Sequence, residues 1–380
     1  MSQHVLNRGR AAYFPALDGA RGWSAIGVLV AHVNMAWFPG AMILMDLFFV
    51  ISGFLITSIL WRSVRKRKRV SLARFWRRRL MRLYPALLLV VVSCTLMACA
   101  LVEDPVPSLQ DALATLLYYS NWTKLEGSIY PTLFGQTWSL GIEEQFYLLW
   151  PLIFLAALKL RLSVPQTVTL LVALALTCMA WRYYLIAGGA SWSRLYYALD
   201  TRMDAFAIGG ILAMIYPYLR DWSRGAVAHV LLTLGVLTLG VLLYVGTPRE
   251  VEYFYWQQSA SVVLSAVMVI LLVSPRIGFV QRVFSSKLSI FLGQRCYSIY
   301  LWHWPIIWLL VVNTDFRDGS LLMVVLPLVL LLSSLTYAWV ELPFMSRRFV
   351  PMETITIAAP SEEPVADAVE SQSAISPQRS

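Results

Sequence analysis

Cysteine and histidine are scarce in this chain, and their placement excludes several kinds of site. The 380 residues contain 4 cysteines and 4 histidines. The cysteines all lie in apolar segments and show no CxxC or Cys/His ligand spacing, so the sequence predicts neither a disulfide framework nor a zinc site. Charged residues make up only 14% of the chain, and no Walker motif, glycine-rich nucleotide loop or internal repeat is evident. We therefore expect no bound metal and no nucleic-acid partner.

Long apolar runs are what the chain has in abundance. Hydrophobic residues account for 58% of it, and its mean hydropathy is +0.64. Runs of about 20 apolar residues are long enough to span a bilayer, so the pattern predicts an all-α, polytopic integral membrane bundle. We predict ten transmembrane helices, at residues 17–37, 41–61, 83–102, 138–158, 166–187, 203–219, 226–246, 257–274, 289–312 and 320–341.

Two further segments complete the predicted domain organisation. Residues 109–122 are too short and too interrupted to span, and we interpret them as a surface-lying or re-entrant helix. Residues 1–345 form the predicted transmembrane domain. Residues 346–380 turn acidic and rich in Ser, Ala and Pro, a composition that predicts a disordered cytoplasmic tail.

The distribution of positive charge predicts the orientation of the bundle. With the N-terminus in the cytoplasm, 23 of the 31 lysines and arginines fall in cytoplasmic segments, against 5 in outer loops. Residues 62–82 alone hold eleven of them. Lys and Arg are enriched in cytoplasmic loops of membrane proteins, so ten spans with both termini inside fit the asymmetry.

The first predicted span carries Arg21 and His32 on one face. Eleven residues separate the two side chains. At about 100° and 1.5 Å per residue, this spacing returns both to nearly the same side of a helix, ~16 Å apart. Ionisable groups in a membrane are costly and usually face a bundle interior or a wet cavity. A snorkelling Arg and a packed His would also satisfy this pattern.

Position along the predicted spans groups the ionisable residues into two layers. The predicted outer layer holds His32, Asp46, Glu143, Glu144 and His303. The predicted inner layer holds Arg21 and the arginines at the cytoplasmic end of the third span, namely Arg77, Arg78, Arg79 and Arg82.

Each group also has a structural explanation. Acids are favoured near helix starts, and the aromatic run around His303 is typical of an interfacial belt. The arginines could anchor the topology and contact anionic lipid.

The two layers together suit one kind of chemistry. Arginines bind phosphate through a planar fork, so the inner layer suits a phosphate-bearing cytosolic donor. A histidine beside carboxylates suits general-base activation of a hydroxyl. The separation of ~16 Å fits a long donor with phosphates at one end and a reactive group at the other, as in acyl-coenzyme A.

The chain carries five motifs in order: LDGARG at 17–22 with His32, DLFFVISGFLIT at 46–57, FWRRRLMRLYP at 75–85, TWSLGIEEQFY at 137–147 and YSIYLWHWP at 297–305. Together they resemble the membrane-bound acyltransferase type 3 family of polysaccharide and small-molecule O-acyltransferases. The matches run from residue 15 to about residue 345. The resemblance implies His32 as the catalytic base, with Arg21, Arg79 and Arg82 binding coenzyme A. A catalytic role for Glu143 or Glu144, in orienting His32 or binding the acceptor, is our own inference.

The resulting interpretation is an O-acyltransferase of a bacterial-type plasma membrane. We expect it to move an acyl group, acetyl first of all, from cytosolic acyl-coenzyme A to a hydroxyl of an envelope or exported glycan. Whether the group passes directly or through an acyl-enzyme stays open. The alternatives are acylation of a small molecule or lipid-linked oligosaccharide, a membrane transporter, and a non-catalytic subunit working with glycan-assembly proteins.

Overall fold

The structure, a computed structural model, describes residues 14–67, 71–125, 132–247, 250–276 and 278–346. The predicted tail, 346–380, therefore lies outside the described residues except for its first position. Within the described ranges every regular element is helical. In chain order the α-helices are α1 Pro15–Val33, α2 Ile43–Arg67, α3 Leu72–Leu101, α4 Val106–Leu116, α5 Ser120–Leu125, α6 Trp138–Lys159, α7 Val164–Ala187, α8 Trp192–Tyr197, α9 Met203–Trp222, α10 Ala226–Val245, α11 Gln258–Val273, α12 Phe279–Phe284, α13 Lys287–Asn313, α14 Asp318–Thr336 and α15 Leu342–Ser346.

Short helices of other types adjoin several of these elements. Met35–Trp37 and Gly135–Thr137 are 3-10 turns, and Tyr253–Gln257 and Tyr337–Glu341 are π-helical. The first π segment leads directly into α11, and the second joins α14 to α15. Each predicted span thus coincides with an α-helix, with ends displaced by a few residues at most places.

Seven of the described helical segments are long and apolar enough to cross a membrane. They contain α2, α3, α6, α7, α10, α11 and α14. The helices α1, α9 and α13 also coincide with predicted spans and are of comparable length. They are not among the seven that are both long and apolar enough to cross a membrane. All three carry polar side chains that bond inside the bundle, as described below.

Two elements differ from the sequence-based expectation. The predicted third span starts at residue 83, but α3 starts at Leu72, where the Ser71 hydroxyl accepts a hydrogen bond from the Arg74 amide at 3.4 Å. Ser at an N-cap satisfies an orphan donor of the first turn, so the arginine run is helical and continuous with the span. The predicted single helix 109–122 is instead α4 and α5, separated near Tyr118, whose φ is 56°.

Helix α1 runs parallel to α13 at very close range. A Cβ atom on Gly22 would lie 2.4 Å from the backbone nitrogen of Gly293, and one on Gly293 would lie 2.2 Å from the Asp18 carbonyl oxygen. Glycine at both positions therefore permits the backbones to touch, as small residues do in membrane helix pairs. The register set here continues along both helices and fixes which side chains meet at their far ends.

Helices α2 and α9 form a second parallel pair of the same kind. A Cβ on Gly53 would lie 2.2 Å from the Phe206 carbonyl oxygen, and one on Gly209 would lie 2.2 Å from that of Val50. At the start of this pair Asp46 Oδ1 accepts a hydrogen bond from Arg202 Nη1 at 2.8 Å, and both side chains are fully buried. The glycine of the second sequence motif therefore serves close helix packing.

Candidate active site

His32 meets a second histidine at the far end of the α1–α13 pair. Its Nδ1 lies 2.9 Å from Nε2 of His303, and the two rings are within 4° of parallel. The sequence separation of 271 residues is the same as that of Gly22 and Gly293, so one helix register produces both contacts. His303 is fully buried, whereas His32 is half-buried and lines a cavity.

The hydrogen bonds of His303 determine which nitrogen of His32 carries a proton. His303 Nδ1 lies 2.7 Å from the carbonyl oxygen of Tyr300, which can only accept. A neutral His303 therefore holds its proton on Nδ1 and accepts at Nε2, so His32 donates from its own Nδ1. The Nε2 of His32 then carries the lone pair that a general base requires.

A cavity of about 400 Å³ adjoins His32. Its volume lies within the usual range for small-molecule sites, and seven of the eighteen residues in its wall carry aromatic rings. The wall comprises Val28, Ala31, His32, Met35, Ala41, Met42, Met45, Lys124, Thr132, Gly135, Gln136, Trp138, Trp192, Ser193, Tyr196, Tyr197, Tyr300 and Trp304. A reacting group bound in this space would lie beside the imidazole.

The arginines predicted to bind the donor form a second centre, near the start of α1, whereas His32 lies near the end of that helix. Arg82 interacts electrostatically with Arg21 and Arg79, so the three cations share one region. By accessible surface Arg82 is exposed and the other two are half-buried. Three neighbouring cations that remain accessible can hold a polyphosphate, because each guanidinium presents a fork of donors.

Of the two acids predicted to lie beside His32, Glu144 contacts the arginine centre directly and Glu143 contacts two hydroxyl groups. Glu144 lies 3.4 Å from Arg79 Nε. Glu143 accepts hydrogen bonds from the hydroxyls of Ser52 and Tyr147, each at 3.0 Å, and also contributes to the electrostatic environment of Arg21. The contacts of Glu143 and Glu144 therefore differ from the prediction, which placed both acids in one layer with His32. Their catalytic role stays a prediction.

Arg79 is also packed on an aromatic ring. Its guanidinium carbon lies 2.9 Å from the ring centroid of Tyr147, whose hydroxyl reaches Ser52 and Glu143. An arginine over an aromatic face is held by cation–π attraction as well as by its ion pair. The orientation of this side chain thus depends on both α3 and α6.

Asp46 belongs to a structural network and not to the histidine pair. Besides Arg202, it accepts hydrogen bonds from the hydroxyls of Tyr253, at 2.7 Å, and Ser261. Arg202, which lies between two predicted spans, is fully buried and stacks on Tyr196 with its guanidinium 4.3 Å from the ring centroid. The ion pair with Asp46 thus holds Arg202 against Tyr196, which is part of the cavity wall.

Several residues of the cavity wall were not among the site residues predicted from the sequence. The cavity wall draws on α8 and on residues 132–136, two stretches between predicted spans. Their signal was the density of aromatic residues in WSRLYY at 192–197. A second buried ion pair, between Arg182 and Asp204 at 2.9 Å, was also missed because it joins residues from separate helices. Among the described residues there is no group of three or more His, Cys, Asp or Glu placed to hold a metal ion.

Comparison with known proteins agrees with the resemblance seen in the motifs. Residues 14–340 match the sequence profile of a family described as the acyltransferase domain, acyltransferase type 3. The chain belongs to this acyltransferase family. The match contains both the histidine pair and the arginine centre.

Two relatives illustrate how close the similarity is. The chain is 30% identical over 354 residues to the peptidoglycan O-acetyltransferase OatA of Listeria monocytogenes, covering 89% of this chain and 57% of that protein. It is 33% identical over 363 residues to the O-acetyltransferase OatA of Staphylococcus aureus, covering 89% of this chain and 58% of that protein. The chain thus spans a little over half the length of these relatives. No solved structure matches the chain.

Proposed function

We propose that this chain is a membrane O-acyltransferase that moves an acetyl group from cytosolic acetyl-coenzyme A to a hydroxyl of an envelope glycan, with peptidoglycan as the first candidate. The observation that carries the proposal is the hydrogen-bonded pair of His32 and His303 at the wall of a cavity. The name of the Listeria relative, a peptidoglycan O-acetyltransferase, supports a glycan as acceptor. The membership of the acyltransferase family supports the reaction type.

The proposed reaction uses His32 as a general base. Its Nε2 removes the proton from an acceptor hydroxyl as the hydroxyl oxygen attacks the acyl carbonyl carbon. The carbon–sulfur bond breaks, and the coenzyme A thiolate takes the proton as it leaves. His303 accepts a hydrogen bond from Nδ1 throughout, so it stabilises the imidazolium that forms between these two events.

The arginine centre supplies the proposed donor site. Arg21, Arg79 and Arg82 would bind the phosphates of acyl-coenzyme A, with the acyl end extending toward His32. The distance from Arg21 to His32 along α1 is ~16 Å, which an extended pantetheine arm can cover. Glu143 and Glu144, at the arginine centre, would hold the guanidinium groups in place before the donor binds.

The proposed topology has ten spans in a bacterial plasma membrane, with both termini cytoplasmic. The parallel pairs support it, because α1 and α13 would be the first and ninth spans and α2 and α9 the second and sixth. Odd-numbered spans all cross the membrane in one direction, and even-numbered spans all cross it in the other. The arginine centre would then open toward the cytoplasm and the histidine end toward the outer side.

Acetyl transfer by the purified protein tests this function. Labelled acetyl-coenzyme A and a peptidoglycan fraction would be incubated with the wild type and with His32→Ala. His229→Ala is a matched control, because His229 lies on α10 outside the cavity wall. We expect transfer by the wild type and the control, and loss of it in His32→Ala. Equal transfer by all three would contradict His32 as the base, and no transfer by any would contradict the donor or acceptor.

A further inference from the structure

The wall of the cavity beside His32 includes a buried cation. Among the described residues that form this wall, Lys124 on α5 is the one lysine, arginine or acid. Its neighbours in the wall are mostly aromatic and aliphatic, and Lys124 itself is 6% exposed. Removing an ammonium from water costs several kcal/mol, so a cation in this position requires partners that offset the loss.

The compensating charge is a carboxylate that lies outside the wall. Asp111 on α4 is buried and interacts electrostatically with Lys124, but it does not line the cavity. The Phe134 amide donates a hydrogen bond to Asp111 Oδ2, which fixes the carboxylate in place. Lys124 Nζ donates to the Thr132 hydroxyl at 2.7 Å, and this hydroxyl also bonds to Asp111. The lysine of the pair therefore belongs to the wall, whereas the acid does not.

Two further contacts connect Lys124 to the surroundings of His32. The carbonyl oxygen of Thr132 accepts a hydrogen bond from the indole nitrogen of Trp304 at 2.8 Å. The ring of Trp304 lies edge-to-face against that of His32, with centroids 4.9 Å apart. All four residues line the same cavity of about 400 Å³. A small reacting group in this space can therefore approach both the imidazole and the ammonium.

The ammonium of Lys124 retains donors for such a group. A protonated lysine has three N–H donors and no acceptor. Within the part of the chain that the structure describes, its hydrogen bond to Thr132 uses one of them. The remaining N–H groups are available to an oxygen that enters the cavity, and an oxygen that gains negative charge binds such a donor more strongly than a neutral one.

The acyl transfer proposed above creates an oxygen of this kind. As the acceptor oxygen bonds to the acyl carbon, the π electron pair of the carbonyl group moves onto the carbonyl oxygen. Donors positioned in advance for this charge are commonly the largest contribution to catalysis of acyl transfer. His32 cannot supply the donor, because its Nε2 takes the proton of the acceptor hydroxyl and its Nδ1 is bonded to His303. A separate group is therefore required.

We propose that Lys124 is a further catalytic residue, whose ammonium donates a hydrogen bond to the acyl carbonyl oxygen as that oxygen becomes negatively charged. When the tetrahedral intermediate collapses, the electron pair re-forms the carbonyl bond and the carbon–sulfur bond breaks. The departing thiolate takes the proton from His32, and Lys124 keeps all of its own protons. Because it assigns a role in the acetyl transfer proposed above, this inference rests on the proposed function.

The variant Lys124→Met removes the charge and keeps an unbranched side chain. We expect kcat for acetyl transfer to fall about 100-fold or more, the effect of losing one oxyanion donor. The KM for acetyl-coenzyme A should change less than about threefold, because the phosphates of the donor are expected at the arginine centre. Steady-state assays of the full-length protein in detergent, with labelled acetyl-coenzyme A and a peptidoglycan fraction, measure both quantities.

A second variant separates this role from a structural one. Lys124→Met leaves Asp111 buried without its cation and should lower the thermal midpoint. Asp111→Asn/Lys124→Met removes both charges, and the new amide oxygen can still accept the hydrogen bond from Phe134. We expect this double variant to regain much of the thermal midpoint, while its kcat stays about 100-fold below that of the wild type. The matched control is Lys159→Met, since Lys159 is exposed at the end of α6 outside the wall, and its kcat should equal that of the wild type.

The outcomes distinguish this role from the function proposed above. A low kcat in both Lys124 variants, with full activity in Lys159→Met, would support the inference. Recovery of kcat together with the thermal midpoint in the double variant would make Lys124 a structural residue and overturn it. A raised KM for acetyl-coenzyme A with kcat unchanged would assign the ammonium to donor binding and also overturn it. No acetyl transfer by the wild type would contradict the proposed function, and the inference would fail with it.

Discussion

The variant His303→Leu examines the histidine pair most directly. Leucine fills much of the volume of the imidazole but can accept no hydrogen bond, so Nδ1 of His32 loses its partner at 2.9 Å. The ring of His32 then lacks the contact that fixes its proton on Nδ1. We expect kcat to fall while the KM values for donor and acceptor change little, because His303 is not predicted to contact either.

The size of the loss follows from the charge that develops on His32. In the resting state the bond joins two neutral rings, and its net contribution is about 0.5–1.5 kcal/mol. As His32 takes up a proton the same bond becomes charge-assisted and contributes about 1.5–3 kcal/mol. Because kcat reports the difference between the two states, about 1–1.5 kcal/mol, the loss of this bond corresponds to a fall in kcat of about 5- to 13-fold.

A double-mutant cycle with His32→Ala is the decisive assay. Acetyl transfer would be measured for the wild type, His303→Leu, His32→Ala and the combined variant, after checking that all four fold and insert equally. If His303 acts through His32, its replacement has no further effect once His32 is absent. His303→Gln is the conservative variant, because its amide oxygen can accept the same hydrogen bond, and we expect partial recovery.

Two results would refute this reasoning. A kcat for His303→Leu within about twofold of the wild type would mean that the bond to His32 does not matter in the transition state. An equal fall on introducing His303→Leu into the wild type and into the His32→Ala variant would show a role independent of the base.

Three further predictions concern the arginine centre and the buried ion pair. Arg79→Ala or Arg82→Ala should raise KM for acyl-coenzyme A about 10-fold or more and leave KM for the acceptor nearly unchanged; equal increases in steady-state assays would contradict two separate sites. Arg21→Lys should weaken the binding of coenzyme A measured by titration, since one ammonium cannot reproduce a planar fork, and an unchanged Kd would make Arg21 an anchor only. Asp46→Ala should destabilise the protein by about 3–5 kcal/mol, because Arg202 is left buried without its carboxylate partner. In thermal unfolding, the double variant Asp46→Ala/Arg202→Met should recover part of the lost stability, because it also removes the unpaired charge.

The positions of the helices were the part of the structure that could best be predicted from the sequence. Apolar runs of near-constant length, separated by charged or glycine-containing turns, place each helix within a few residues. The same-face relation of Arg21 and His32 also follows from helical spacing alone. In both cases the information is local, so one segment at a time is sufficient.

The partners of the ionisable residues were not accessible in this way. Depth along each span predicted that Glu143 and Glu144 lie level with His32, but their observed contacts are with Arg79, Ser52 and Tyr147. Depth ignores the direction in which a side chain points and the register of neighbouring helices. Those depend on close approaches between glycines of separate helices, which no single segment reveals.

The choice of a histidine, and not a carboxylate, as the partner of His32 has a physical reason. His303 is fully buried within α13, where an ionised carboxylate would lose its hydration and need a cation to offset the loss. A neutral imidazole accepts the same hydrogen bond at no such cost, and the Tyr300 carbonyl keeps its tautomer fixed. Glu144 instead lies 3.4 Å from Arg79, where the opposite charge stabilises it. The base can therefore be oriented in an apolar wall without placing an unpaired charge beside the acceptor, and the pair becomes charged only while a proton is in transit.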